Sequence, residues 1–178
     1  MKTITLTIIL AFLLSATSIF AQKSNYSENH GGTLNIGLGV GGYYGYYGYI
    51  GHSLPVFNLN YEFSVANNFT LAPFATFYTY RSDNYRETVI PIGAKGTFYF
   101  DQLVNANPNW DFYLAGSLGF SIINSYWDSD YTGDRTYYHK SSPLFLDLHL
   151  GTEYHLSNRL GIFLDLSTGV STVGLAFH

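Results

Sequence analysis

The residues best able to do chemistry sit at alternate positions in apolar segments. In Leu144-Phe145-Leu146-Asp147-Leu148-His149-Leu150, Asp147 and His149 are set between leucines, and Leu160-Gly161-Ile162-Phe163-Leu164-Asp165-Leu166 places Asp165 the same way. Glu62, in Asn60-Tyr61-Glu62-Phe63, and Lys95, in Ala94-Lys95-Gly96, have similar surroundings. Carboxylates, an imidazole and an amine that share one enclosed face can pair and neutralise each other. With a hydroxyl they can also relay a proton to a nucleophile, and His149, Asp165 and Ser167 can be drawn as such a triad. A three-residue connection, Leu156-Ser157-Asn158, would place His155 opposite Arg159 and His149 opposite Asp165. An even-numbered connection would set the leucines of one strand against the polar residues of the other. The expected network is therefore Glu62, Lys95, Asp147, His149 and Asp165, with Glu153 and Asp111 closer to one end.

The elements that must position these groups are strands. Successive strand side chains point to opposite faces, and period-two alternation recurs along the chain. The sequence predicts strands at Thr33 to Gly41, Pro55 to Val65, Phe69 to Thr79, Thr88 to Phe100 and Trp110 to Ile122. Two more follow in the segments of Leu144 and Leu160, and an eighth at Ser171 to Phe177. Ala66-Asn67-Asn68 reads as a tight turn, Tyr80 to Arg86 as a polar loop, Asp101 to Asn109 as a polar turn, and Asn124 to Ser142 as the longest loop. Most of these strands approach the ~9–11 residues that a tilted membrane strand needs.

Composition decides which face of such a sheet meets solvent. Charged residues are 11% of the chain and aromatics 19%. Ordinary domains carry about 25% charged residues. The polar face is mostly Gly, Ser, Thr, Asn and Tyr, whereas a water-facing exterior needs Lys and Glu along every strand. Small polar side chains suit the interior of an eight-stranded barrel, which is only wide enough for side chains to fill. The leucines then face lipid. Tyr61, Phe63, Phe98, Phe100, Trp110 and Phe112 gather near the turns, and Tyr78, Tyr80, Tyr126 and Trp127 near the loops, as interfacial girdles do. Lys2, the apolar run Ile4 to Leu14 and Ser15 to Ala21 follow the order of a secretory signal peptide. Residues 1–21 are thus expected to be removed, leaving 22–178 as one all-β domain, an eight-stranded antiparallel up-and-down transmembrane β-barrel. The net charge of −4 disfavours nucleic acid, which needs a basic footprint. There is no cysteine to staple the fold.

Several stretches resemble the small outer-membrane β-barrel proteins of Bacteroidetes: Gly37 to Tyr44, Asn60 to Phe63, Ile92 to Phe100, Trp110 to Gly116 and Gly174 to Phe177. The resemblance spans nearly the whole mature chain and concerns barrel architecture, not an activity. It implies insertion by the outer-membrane assembly machinery, which favours a terminal aromatic. Phe177 is followed here by His178.

The remaining motifs lie in predicted loops. Asp128-Ser129-Asp130-Tyr131-Thr132-Gly133-Asp134 begins like a calcium loop, but His139 stands where a bidentate Glu is required. Tyr43, Tyr44, Tyr46 and Tyr47 in a Gly–Tyr repeat, with Tyr126 and Trp127, are the expected surface contacts. The triad points into a packed lumen that no lipid ester reaches, so no enzymatic activity and no cofactor or metal is expected. The sequence thus predicts a monomeric outer-membrane barrel, in contact with membrane lipid and lipopolysaccharide, with a structural or surface-interaction role. A narrow, porin-like channel for ions or small solutes is the alternative.

Overall fold

The computed structural model describes residues 32–42, 55–82, 84–133 and 144–178. The strands are β1 (Thr33–Gly41), β2 (Val56–Ala66), β3 (Phe69–Ser82), β4 (Tyr85–Tyr99), β5 (Trp110–Trp127), β6 (Leu144–Ser157), β7 (Leu160–Ser167) and β8 (Val170–Phe177). Each pairs antiparallel with its sequence neighbours, and β1 pairs with β8 from Leu34↔Phe177 to Gly41↔Val170, which closes the barrel. Closure leaves no unpaired sheet edge. One rim, here the turn end, holds the β2–β3, β4–β5 and β6–β7 connections. The opposite rim is the loop end.

The alternation read from the sequence becomes an inside and an outside. Leu144, Leu146, Leu148 and Leu150 of β6 point outward, Leu146 being 75% exposed, while Asp147 between them is 1% exposed. Ile36, Leu38, Phe57, Leu59, Leu114, Leu118, Leu164 and Val173 continue the apolar exterior. Glu62, Lys95, Asp111, Asp147, Glu153 and Asp165 are all buried within the lumen. This is the inverse of a soluble barrel, which hides apolar side chains and wets the charged ones.

Three boundaries differ from the sequence reading. The β3–β4 ladder continues to Ser82↔Tyr85, so the polar segment Tyr80 to Arg86 is hairpin rather than loop. β5 likewise runs on to Trp127, opposite Tyr85, and Tyr126 and Trp127 stand on a strand. Backbone pairing is indifferent to side-chain polarity, so the ladder outlasts the apolar pattern that marks it. The polar turn after β4 contains a 3-10 turn, Asp101–Val104, closed by Asn105 at φ 50°. Asn68, in the β2–β3 turn, also has positive φ, a conformation Asn tolerates better than most residues.

The β6–β7 register also differs. Ser157 pairs with Leu160, leaving a two-residue connection, and a register shift between His155 and Ser157 adds one residue to β6. The bulge restores the parity that an even-numbered connection breaks. His149 therefore lies opposite Ser167, and Asp165 opposite Gly151.

Candidate functional site

The lumen is filled in three layers. At its centre Lys95 Nζ on β4 reaches Asp165 Oδ2 on β7 at 3.0 Å. His149 Nδ1 lies 2.7 Å from Asp165 Oδ1, although the two residues are diagonal, not opposite, on their strands. Diagonal neighbours are within reach of long side chains, so the expected contact survives the change of register. The other ring nitrogen, Nε2, is 3.0 Å from Ser117 Oγ and 3.7 Å from Asp147 Oδ2. Asp147 Oδ1 accepts from the Leu148 backbone N–H at 2.9 Å and from the Thr168 hydroxyl.

Glu62 joins this layer through partners that alternation did not single out. It accepts from Asn35 Nδ2 at 3.0 Å, Thr70 Oγ1 at 2.6 Å and the Tyr99 hydroxyl at 2.8 Å. The Tyr99 ring lies 5.7 Å from that of Tyr113, whose hydroxyl donates to Asp165 Oδ2 at 3.1 Å. Lys95 Nζ also sits 5.1 Å from the Tyr113 ring centroid, within cation–π range. The two tyrosines connect the Glu62 and Asp165 halves. Their signal was present in the sequence, because Tyr99 and Tyr113 share strand parity with Lys95 and Asp111 respectively. Gly151 makes room for Tyr113, whose ring occupies the place of any Cβ there.

Toward the loop end the lumen turns apolar. Val56, Tyr78, Tyr85, Val89 and Val170 form a buried cluster, with Ile123 and Trp127 against it. Tyr78 therefore belongs to the interior and not to an interfacial girdle. Strand three carries aromatics on both faces, so composition alone did not orient it. The Tyr85 hydroxyl donates to Glu87 Oε2 at 2.9 Å and lies 3.0 Å from Ser125 Oγ.

The turn end is the open layer. A cavity of ≈ 440 Å³ is lined there by Thr33, Tyr99, Asp111, Glu153, His155 and His178, among others. Asp111 and Glu153 thus lie at the turn end, each bonded to a histidine.

Asp165, His149 and Ser117 together have the connectivity of a nucleophile relay, with Ser117 in the place the sequence reading gave to Ser167. Ser167 Oγ instead accepts from the Gly169 N–H at 3.1 Å. The cavity beside Ser117, His149 and Asp165 measures ≈ 20 Å³. One water needs roughly 10–15 Å³ on this measure, and small-molecule pockets run to ~300–1,000 Å³. The relay has no room for an acyl substrate.

Of the expected surface contacts, Tyr126 is 61% exposed. Trp127 packs 4.9 Å from the Tyr85 ring and stacks at 5.1 Å on Tyr131. Tyr43, Tyr44, Tyr46 and Tyr47 lie outside the described residues, as does His139 of the calcium-like loop. The described part of that loop, from Asp128 to Gly133, borders a second ≈ 440 Å³ cavity at the loop end.

These features define a closed eight-stranded up-and-down antiparallel barrel with an apolar exterior and a packed, charged lumen. No family model matches the chain. No curated protein sequence matches it either. Among solved structures, it is similar to Neisserial surface protein A (NspA), with TM-score 0.51, 12% identity and coverage of 82% of this chain and 92% of that one. That likeness supports the fold. Others are a de novo designed transmembrane β-barrel (TM-score 0.47, 12% identity, 84% and 98% covered) and the Yersinia pestis outer membrane protein Ail in a phospholipid bilayer nanodisc (TM-score 0.47, 13% identity, 82% and 96% covered).

Proposed function

We propose that this chain is an integral outer-membrane β-barrel protein whose strands face lipid and whose loop end faces outward, with a structural or surface-interaction role. One observation carries the reading: a continuous belt of exposed Leu, Ile, Val and Phe surrounds a closed barrel that buries Glu62, Lys95, Asp111, Asp147, Glu153 and Asp165 inside. In water such a belt would far exceed the few hundred Å² of contiguous apolar surface that a soluble monomer tolerates. In a bilayer it is the ordinary exterior.

In this reading residues 1–21 direct export and are cleaved, and the assembly machinery inserts residues 22–178 as a monomer. The turn end, with its shorter connections, faces the periplasm. Membrane lipid and lipopolysaccharide surround the belt, and Tyr43, Tyr44, Tyr46, Tyr47, Tyr126 and Trp127 supply aromatic contacts at the outer rim. The segments resembling Bacteroidetes barrels support an envelope of that kind as the setting. The reading includes no enzymatic step. A channel is disfavoured by the ≈ 20 Å³ cavity at the centre and the apolar cluster above it.

The test is fractionation of cells producing the full chain, with the outer membrane washed in alkaline carbonate. The expected protein stays with the membrane, lacks residues 1–21 and migrates differently on gels with and without boiling. Release into the soluble fraction would overturn the reading, and steady single-channel conductance in planar bilayers would replace it with the channel.

A further inference from the structure

The geometry points to a binding site for a first-row divalent metal ion of the Zn²⁺ type at the turn end, with Glu153, His155 and His178 as ligands. The three residues come from β6 and from the end of β8, strands that share no backbone ladder. Glu153 and His155 share the inward parity of β6, and His178 follows β8. β7 lies between them, and there Gly161 pairs with His155 on one side and Ala176 on the other. A side chain at Gly161 would occupy the space of the Glu153 carboxylate. Its absence lets the ligands of β6 and β8 meet over β7.

Each histidine presents one nitrogen to the same carboxylate oxygen and has the other held from behind. His178 Nε2 is 2.7 Å from Glu153 Oε1, while its Nδ1 is 3.0 Å from the Thr33 hydroxyl. His155 Nδ1 is 3.9 Å from Glu153 Oε1, while its Nε2 is 2.9 Å from Asp111 Oδ2. Metal-binding imidazoles are characteristically fixed in this way, through an outer partner that sets the ring's orientation and tautomer. The backbones are pinned as well, because the His178 N–H donates to Arg159 O at 3.1 Å and the His155 N–H to Asn109 O at 2.9 Å.

The ligand atoms lie within 4.8 Å of one another. Ligands at ~2.0–2.1 Å around a tetrahedral Zn²⁺ are about 3.3 Å apart, so small side-chain rotations close the shell. The ion would take the place of the direct contact between His178 Nε2 and Glu153 Oε1. Two nitrogens and one oxygen suit Zn²⁺ and its first-row neighbours. Ca²⁺ and Mg²⁺ require more oxygens. The adjoining ≈ 440 Å³ cavity gives access and leaves the fourth position to water.

The test uses tag-free full-length barrel refolded in detergent. Zn²⁺ is titrated calorimetrically, and Co²⁺ is bound in its place for its visible spectrum. We expect one saturable ion per barrel and the intense absorption of four-coordinate Co²⁺. His155→Ala and His178→Ala should each weaken binding at least ~100-fold, and Asp111→Asn or Thr33→Val about 10–100-fold. The double variant His155→Ala/His178→Ala separates this site from His30, His52 and His139 elsewhere in the chain. Binding that survives the double variant overturns the proposal. Should the variants fail to refold, the wild-type spectrum decides: an absent or octahedral Co²⁺ signal overturns it equally.

Discussion

Lys95 and Asp165, 70 residues apart in sequence, meet at 3.0 Å across the lumen and tie β4 to β7, strands that share no backbone ladder. Asp165 also holds His149 and Tyr113. Removing the ammonium leaves a buried carboxylate short of its partner, which typically costs about 3–5 kcal/mol. Lys95→Met should therefore lower the denaturation midpoint of the refolded barrel substantially. Adding Asp165→Asn should recover part of the loss, because apolar or neutral replacements of a whole pair are often tolerated. Urea or guanidinium unfolding in micelles measures both, and a neutral Lys95→Met would remove the strut from the account of stability.

Gly151 gives a steric prediction. Its missing side chain is the space that the Tyr113 ring fills. Gly151→Ala should destabilise by about 1–3 kcal/mol, the usual cost of overpacking. In the background Tyr113→Ala, which vacates the space, the same substitution should cost much less. A double-mutant cycle on unfolding free energies reads this coupling directly. Equal costs in both backgrounds would mean that the two positions do not press on each other.

The exterior can be tested by depth. Leu146 and Leu156 both point outward from β6, but Leu156 lies beside the turn-end bulge. Arginine at the bilayer midplane of a barrel costs about 2–4 kcal/mol and near the interface ~0–1 kcal/mol. Leu146→Arg should consequently impair folding into lipid vesicles far more than Leu156→Arg. Similar penalties at the two sites would show that the leucine ladder does not cross the hydrocarbon.

Conductance should follow the filling of the lumen. The wild-type barrel is expected to give no steady current in planar bilayers. Tyr78→Ala combined with Tyr113→Ala removes one large side chain from the apolar layer and one from the polar layer, and should produce measurable leak. A silent double variant would place the barrier to ions elsewhere.

Much of this arrangement is legible in the sequence, for reasons that individual residues show. Alternation assigns a side chain to a face, so Asp147, His149 and Asp165 were placed inside once the leucines were placed outside. Alternation does not set the register between strands. Leu156 illustrates why: the bulge at that position restores parity after a two-residue connection, and nothing in the local pattern announces it. His149 still reaches Asp165 because a side-chain contact needs proximity, not direct opposition. Parity puts Tyr99 and Tyr113 inside, but it does not show that their hydroxyls reach Glu62 and Asp165. In the sequence His178 stands only as a departure from a terminal aromatic, and its meeting with His155 depends on β7 carrying glycine at the crossing point.

The apolar cluster of Val56, Tyr78, Tyr85, Val89 and Val170 separates the central charges from whatever the loop end carries. Loop sequences can therefore diverge, lengthen or be exchanged without wetting Lys95 or Asp165 and without altering their pairing. Such insulation makes the barrel a chassis: grafted segments joined at Gly42 and Pro55, or between Gly133 and Leu144, would be displayed without taxing the frame beneath them.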